Sequence, residues 1–133
     1  MMVPKYLRYT KQHEWARLDE DEGVVLVGIT DYAQEEIGDI TYVELPEEED
    51  QVEKGKPFAE IEHHKGVEDI YSPVTGKIIE VNEILGDSPE VINEDPFDEG
   101  WLVKIEADDV SELEELMDAE DYEIYLSELG EEE

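Results

Sequence analysis

Short apolar runs with partial alternation, set apart by glycines and prolines, recur along most of this 133-residue chain. They cover Trp15 to Leu18, Val24 to Ile29, Ile40 to Leu45, Phe58 to Ile61, Val67 to Tyr71, Lys77 to Val81 and Trp101 to Ile105. Runs this short, with a period near two, suit strands, whose side chains alternate between faces. Gly23, Pro46, Gly55, Pro57, Pro73, Gly76 and Gly100 punctuate them, where tight turns need positive φ or a preset φ. The pattern predicts a mostly β domain, a sandwich or a barrel. One domain over residues 1–133 is expected, because a second core would have little left to bury.

Three segments depart from the strand pattern. Thr30 to Gly38 reads as a short helix, with Thr30 or Asp31 able to cap its start and Gly38 able to end it. Asp87 to Val91 places Pro89 just after a capping Ser88 and reads as a brief helical turn. From Ser111 the spacing becomes helical: Ser111 and Glu114 form a capping box, and Leu113, Leu116 and Met117 fall on one face. A second stripe, Tyr122, Ile124, Tyr125, Leu126 and Leu129, has near-helical spacing and predicts a further short helix packing on the sheet, so that 111–129 forms the C-terminal helical segment and 130–133 a solvated acidic tail.

Acidic residues number 41 against 9 basic ones, a formal net charge of -32. Such a surface repels phosphate backbones and anionic lipid heads, so nucleic acid and membrane partners are not expected. The same charge disfavours self-association and predicts a monomer. It fits a saline setting, where salt screens self-repulsion, and equally a carrier that meets basic enzymes. With no cysteine, disulfides, zinc thiolate sites and cysteine nucleophiles are excluded, and any thiol chemistry must come on a cofactor. The start lacks the apolar run of a signal peptide and no later segment is long and apolar enough to span a bilayer, which predicts a cytoplasmic protein.

One internal echo bears on function. Val52 to Ile61 and Val74 to Val81 share a turn, glycine, strand order, and Lys65 lies about midway between Gly55 and Gly76. Two arms related by a pseudo-twofold would leave Lys65 at a hairpin tip. The surrounding Glu62-His63-His64-Lys65-Gly66 sits between two strand-like runs, where a turn would push the lysine into water. An exposed primary amine on a rigid turn suits an amide-linked swinging arm, since a modifying enzyme can dock on a fixed shape. A lone lysine between strands is otherwise an ordinary solvated residue.

Several stretches, in order, resemble the glycine cleavage H-protein family across nearly the whole chain: Tyr9 to Trp15, Val27 to Gln34, Gly38 to Ile40, Val43 to Pro46, Asp69 to Gly76, Glu80 to Asn82, Asn93 to Pro96 and Gly100 to Leu102. The resemblance implies a β barrel-sandwich hybrid of the lipoyl/biotinyl-carrier type, with small helices and C-terminal helices, carrying lipoate in amide linkage on Lys65. It implies a carrier that does not itself catalyse. In that family the arm shuttles an aminomethyl group from a pyridoxal-phosphate glycine decarboxylase to a folate-dependent aminomethyltransferase, and a flavin dihydrolipoyl dehydrogenase reoxidises the dithiol. By the same resemblance Glu14 and Asp69 match positions that hold the aminomethyl nitrogen in a surface cleft, where carboxylates stabilise a cation.

Around the lysine the family's usual run is Glu-Ser-Val-Lys-Ala, whereas this chain keeps only Glu62 and Lys65 and substitutes His63, His64 and Gly66. A paralogous group with the H-protein fold serves as lipoate-binding protein in sulfur oxidation, beside a heterodisulfide-reductase-like complex and a dedicated lipoate-protein ligase. The altered turn suits such a ligase, so the sequence favours sulfur carriage on the dihydrolipoyl dithiol, with glycine cleavage as the alternative and an unmodified acidic scaffold as a reading of another class. A biotin carrier is disfavoured because neither neighbour of Lys65 is methionine. No catalytic triad spacing, phosphate loop or metal motif appears, and adjacent histidines on a strand face opposite sides, so no metal site is expected. One imidazole beside the lipoyl sulfurs would favour a thiolate.

Overall fold

The computed structural model describes residues 2–19 and 23–131, with Glu131 described in its backbone only. In chain order its elements are β1 (Arg8–Tyr9), β2 (Glu14–Asp19), β3 (Val24–Ile29), α1 (Asp31–Ile37), β4 (Ile40–Glu44), β5 (Gln51–Val52), β6 (Pro57–His63), β7 (Gly66–Tyr71), β8 (Gly76–Val81), α2 (Val91–Glu94), β9 (Val103–Ala107) and α3 (Ala119–Glu131). Short 3-10 turns at Glu83–Gly86 and Val110–Glu115 complete it. The strands form an antiparallel six-stranded sheet, ordered β1-β2-β3-β9-β8-β5, and a three-stranded sheet, ordered β4-β6-β7. This is the mostly β architecture with small helices expected from the punctuated runs. Among the described residues no helix is long and apolar enough to cross a membrane.

All six residues of β3 are buried, because the strand is central and covered on both faces. Val25, Val27 and Ile29 join Ile61 of β6, Ile70 of β7, Ile78 of β8 and Ile105 of β9 in the core between the sheets. Leu26 points the other way, into a second cluster of Leu7, Tyr9, Trp15, Phe97 and Tyr122 roofed by α3. A strand buried on both faces reads as a continuous apolar run, whereas β6, solvated on one face, alternates. In the second cluster Tyr9 and Tyr122 stack with ring centroids 4.5 Å apart, and Trp15 donates from Nε1 to the Pro96 carbonyl at 2.9 Å.

Of the two caps open for α1, Thr30 is the one used: its hydroxyl accepts from the Ala33 N–H at 3.2 Å, and Gly38 at φ 74° ends the helix. Asn93 fixes the exit, accepting from Ile40 N at 3.0 Å and donating to the Gly38 carbonyl at 2.8 Å. A turn closes around Pro89, where Val91 N donates to the Ser88 carbonyl at 3.2 Å, but Ser88 does not cap the helix: α2 starts only at Val91, with Glu90 at the cap position and no side-chain bond there.

The C-terminal segment differs from expectation in two ways. The Ser111 and Glu114 capping box does not form; Asp109 caps instead, accepting from Ser111 N at 3.0 Å and from its hydroxyl at 2.6 Å. The expected further helix does follow, as α3, but Met117, expected on the face of the first helix with Leu113 and Leu116, instead exchanges backbone hydrogen bonds of 2.8 and 2.9 Å with Tyr9, so the first piece is only the 3-10 turn Val110–Glu115. Helix α3 starts with Asp118 accepting from Asp121 N and continues through Gly130 and Glu131, where a tail was expected. Glu132 and Glu133 lie outside the described residues. The echoed segments do meet, as Val52 pairs with Gly76, but β6 and β8 belong to different sheets.

Gly28 faces Trp15 directly across β2 and β3, and a Cβ there would lie 2.6 Å from the indole ring. The ring occupies the space that a side chain would need. Substituting Gly28→Ala is therefore expected to cost about 1–3 kcal/mol by overpacking, seen as a lower urea midpoint. An unchanged midpoint would contradict this packing.

Candidate functional site

The β6 and β7 strands pair from Pro57↔Tyr71 to His63↔Gly66, leaving His64 and Lys65 as a two-residue loop. Both loop residues are exposed, as are Glu62 and Gly66. Two-residue hairpins ordinarily need positive φ at a loop residue. Neither His64 nor Lys65 has it here, and the unusual backbone falls on Gly66 at φ 155°, where a side chain would be strained. Lys54, Lys56, Lys77 and Lys104 each pair with a carboxylate, whereas the Lys65 ammonium has no such partner within 4.0 Å among the described residues. The lysine at the tip is thus an exposed amine on a short, defined turn.

The two histidines differ. His64 is exposed in the loop. His63 turns inward with its side chain 6% exposed; its Nδ1 accepts from the Lys65 N–H at 3.2 Å, and its Nε2 lies 3.5 Å from Glu68 Oε1. Among the described residues no group of three metal-capable side chains converges here or elsewhere.

Farther along β7 lies a cleft of about 330 Å³, bounded by Gln12 and His13 of the β1–β2 turn, Ile29 of β3, Tyr32, Ala33, Glu36 and Ile37 of α1, and Glu68, Asp69 and Ile70 of β7. Ile29, Ile37 and Ile70 are its apolar residues and Glu36, Glu68 and Asp69 its acidic ones, Asp69 standing at the edge shared with the outer face of the small sheet. His13 holds the turn at φ 72°, accepting at its carbonyl from Thr30 N and bonding through Nδ1 with the Tyr122 hydroxyl at 2.8 Å. Its ring also meets Tyr32 at a centroid distance of 4.5 Å. Burial lowers the His13 pKa, which favours the neutral imidazole. Asp69 stands four residues from Lys65, roughly 13 Å along the strand at about 3.3 Å per residue.

Glu14, expected with Asp69 at the cleft that holds the arm, is not among the residues that line this one. Its side chain is fully buried next to the cleft wall, accepting from the Thr10 hydroxyl at 2.5 Å and from Tyr71 N at 3.2 Å. Burial pushes its carboxyl up to about 7, against the pull of those donors. The chain reading missed the burial because 41 acids make any one of them look like surface. It missed the cleft residues on α1 because they are far from Lys65 in sequence, and missed the bond from His63 to the lysine turn because it depends on a rotamer.

The arrangement offers an exposed amine, and beside it a cleft with apolar walls and carboxylate rims. The cleft can hold an apolar chain ending in a cation. Comparison with known proteins agrees: the Glycine cleavage H-protein family matches over residues 7–129. The chain is 49% identical over 128 residues to a glycine cleavage system H protein of Anaeromyxobacter sp. (strain K), covering 96% of this chain and 98% of that one. It is 52% identical over 120 residues to the protein so named in Vibrio vulnificus (strain YJ016), covering 90% and 94%. The crystal structure of a glycine cleavage system H protein from Mycobacterium marinum superposes with a TM-score of 0.84 at 36% identity, covering 96% of this chain and 99% of that one.

The chain belongs to the glycine cleavage H-protein family and shares its barrel-sandwich fold. It is a non-catalytic lipoyl carrier of that type, one that serves partner enzymes.

Glu14 makes stability depend on pH. Its pKa rises from an ordinary 4.5 to about 7 on folding, so the folded chain keeps a proton that the unfolded chain releases. The stability this gives is complete below pH 4.5 and is lost as pH rises through about 7. Relative to wild type, Glu14→Gln should gain about 3 kcal/mol between those limits, measured by urea unfolding at each pH. A difference that stays constant across the interval would contradict the assignment.

Proposed function

We propose that the chain is the lipoyl carrier of glycine cleavage, with residues 1–133 forming one carrier domain and Lys65 forming the amide to lipoate. The observation that carries this reading is Lys65, exposed at the tip of the β6–β7 hairpin with no carboxylate partner among the described residues, in the loop just before the strand that leads to the cleft. Lipoate held there would supply a disulfide that is reduced as it takes up the aminomethyl group and reoxidised from the dithiol once that group has been passed on.

The chain's own residues do the rest. The hairpin holds the amine away from the core so that a lipoylating enzyme can reach it. Ile29, Ile37 and Ile70 give the arm an apolar wall that excludes water, and Asp69 and Glu68 favour a cationic end group over a neutral one. Glu14 stays behind the wall, fixing the Thr10 turn to Tyr71 and so setting where His13 and Ile70 stand. The net charge of -32 suits docking on basic faces of a glycine decarboxylase, an aminomethyltransferase and a dihydrolipoyl dehydrogenase, each of which must be left as readily as it is met.

Sulfur carriage, which the His63-His64 departure favoured on sequence, draws no support from the relatives compared, all named as glycine cleavage system H proteins. The carboxylate rim favours an amine cargo over an anionic sulfur one. The test is exchange of bicarbonate carbon into glycine by a purified glycine decarboxylase, with the lipoylated chain as the only carrier. Exchange is expected with wild type and none with Lys65→Arg. Absence of exchange with the lipoylated wild type would overturn the reading.

A further inference from the structure

His63 holds the lysine turn through a contact that hairpin pairing does not require. In the β6–β7 ladder His63 and Gly66 close the last pair, so the Lys65 N–H lies beyond the ladder and would otherwise face water. The His63 Nδ1 takes it at 3.2 Å. A side-chain acceptor bonding the N–H two residues on is the geometry of an Asx-turn, with imidazole Nδ1 in the place of an asparagine Oδ1. Because Nδ1 accepts, Nε2 carries the proton in the neutral ring. That Nε2 is buried with no hydrogen bond among the described residues, and the Glu68 carboxylate lies 3.5 Å away, across the hairpin. Glu68 in turn lines the cleft, so one inward-facing ring connects the lysine turn to the cleft rim.

We propose that His63 is a positioning residue for modification: by accepting the Lys65 N–H it fixes the two-residue turn in the shape that a lipoylating enzyme docks on. The proposal rests on the reading that Lys65 takes the lipoyl group. A fixed turn spares the enzyme the cost of ordering a flexible loop as it binds, so the effect falls on recognition rather than on amide formation. Asparagine can replace the acceptor in the same turn; leucine fills the space and cannot accept.

The test uses the full-length chain with a lipoate-protein ligase, lipoate and ATP, comparing wild type, His63→Asn and His63→Leu. His63→Leu should raise the ligase KM for the carrier about three- to tenfold, the worth of one hydrogen bond, with kcat little changed, and His63→Asn should restore it. Hydrogen exchange at the Lys65 amide should be slow in wild type and in His63→Asn, and fast in His63→Leu. The proposal is overturned if His63→Leu keeps the wild-type KM and slow exchange, or if His63→Asn behaves as His63→Leu does. Slow exchange with no modification of wild-type Lys65 would leave the His63 bond standing but overturn the carrier reading, and the proposed role with it.

Discussion

The register of β6 against β7 decides what this chain can present. Burying Ile61 and Ile70 in the core between the sheets fixes which residues of each strand face inward. Because strand side chains alternate, a slip of one residue would carry that whole set to the opposite face. With the register set, His63 pairs with Gly66, the loop is His64 and Lys65, and the lysine amine stands in water. The same register turns Asp69 to the outer face beside Glu60, at the edge of the cleft that Ile70 lines. The tip and the cleft are therefore consequences of one packing choice, and the cleft's far side, on α1, is secured separately by the Thr30 cap and the Asn93 bridge.

Charge shapes the surface around that frame. Across the outer face of the small sheet, Glu44, Glu60 and Asp69 sit in one register row, an arrangement of like charges that costs stability. The chain accepts this cost beside a cleft whose rim also carries Glu36 and Glu68. Concentrated negative charge favours a cationic cargo and basic partners, and both preferences weaken as salt rises. Glu14 behaves differently from these neighbours: buried and hydrogen-bonded, it serves the architecture of the cleft wall.

The parts legible from sequence were those with a local cause. Seven strands show in their apolar runs, α1 in its Thr30 and Gly38 ends, and the lysine tip in the run between two strands. Strands β1 and β5 are two residues long and leave no period to detect. The departure of Met117 from the first C-terminal helix was invisible because it comes from pairing with Tyr9, more than a hundred residues earlier in the chain. Composition hid Glu14, and only the folded rotamer reveals that His63 bonds the Lys65 turn. The histidines beside the lysine suggested a different pathway, yet one of them has a structural task that fits any lipoyl carrier.

The central claim is that the β6–β7 tip carries the arm, and the most direct test is the intact mass of the chain purified from its own host under lipoate-replete conditions, followed by peptide mapping. The account predicts a mass increment of one lipoyl group, located on the peptide containing Lys65. An unmodified Lys65, or the increment on another lysine, would contradict it.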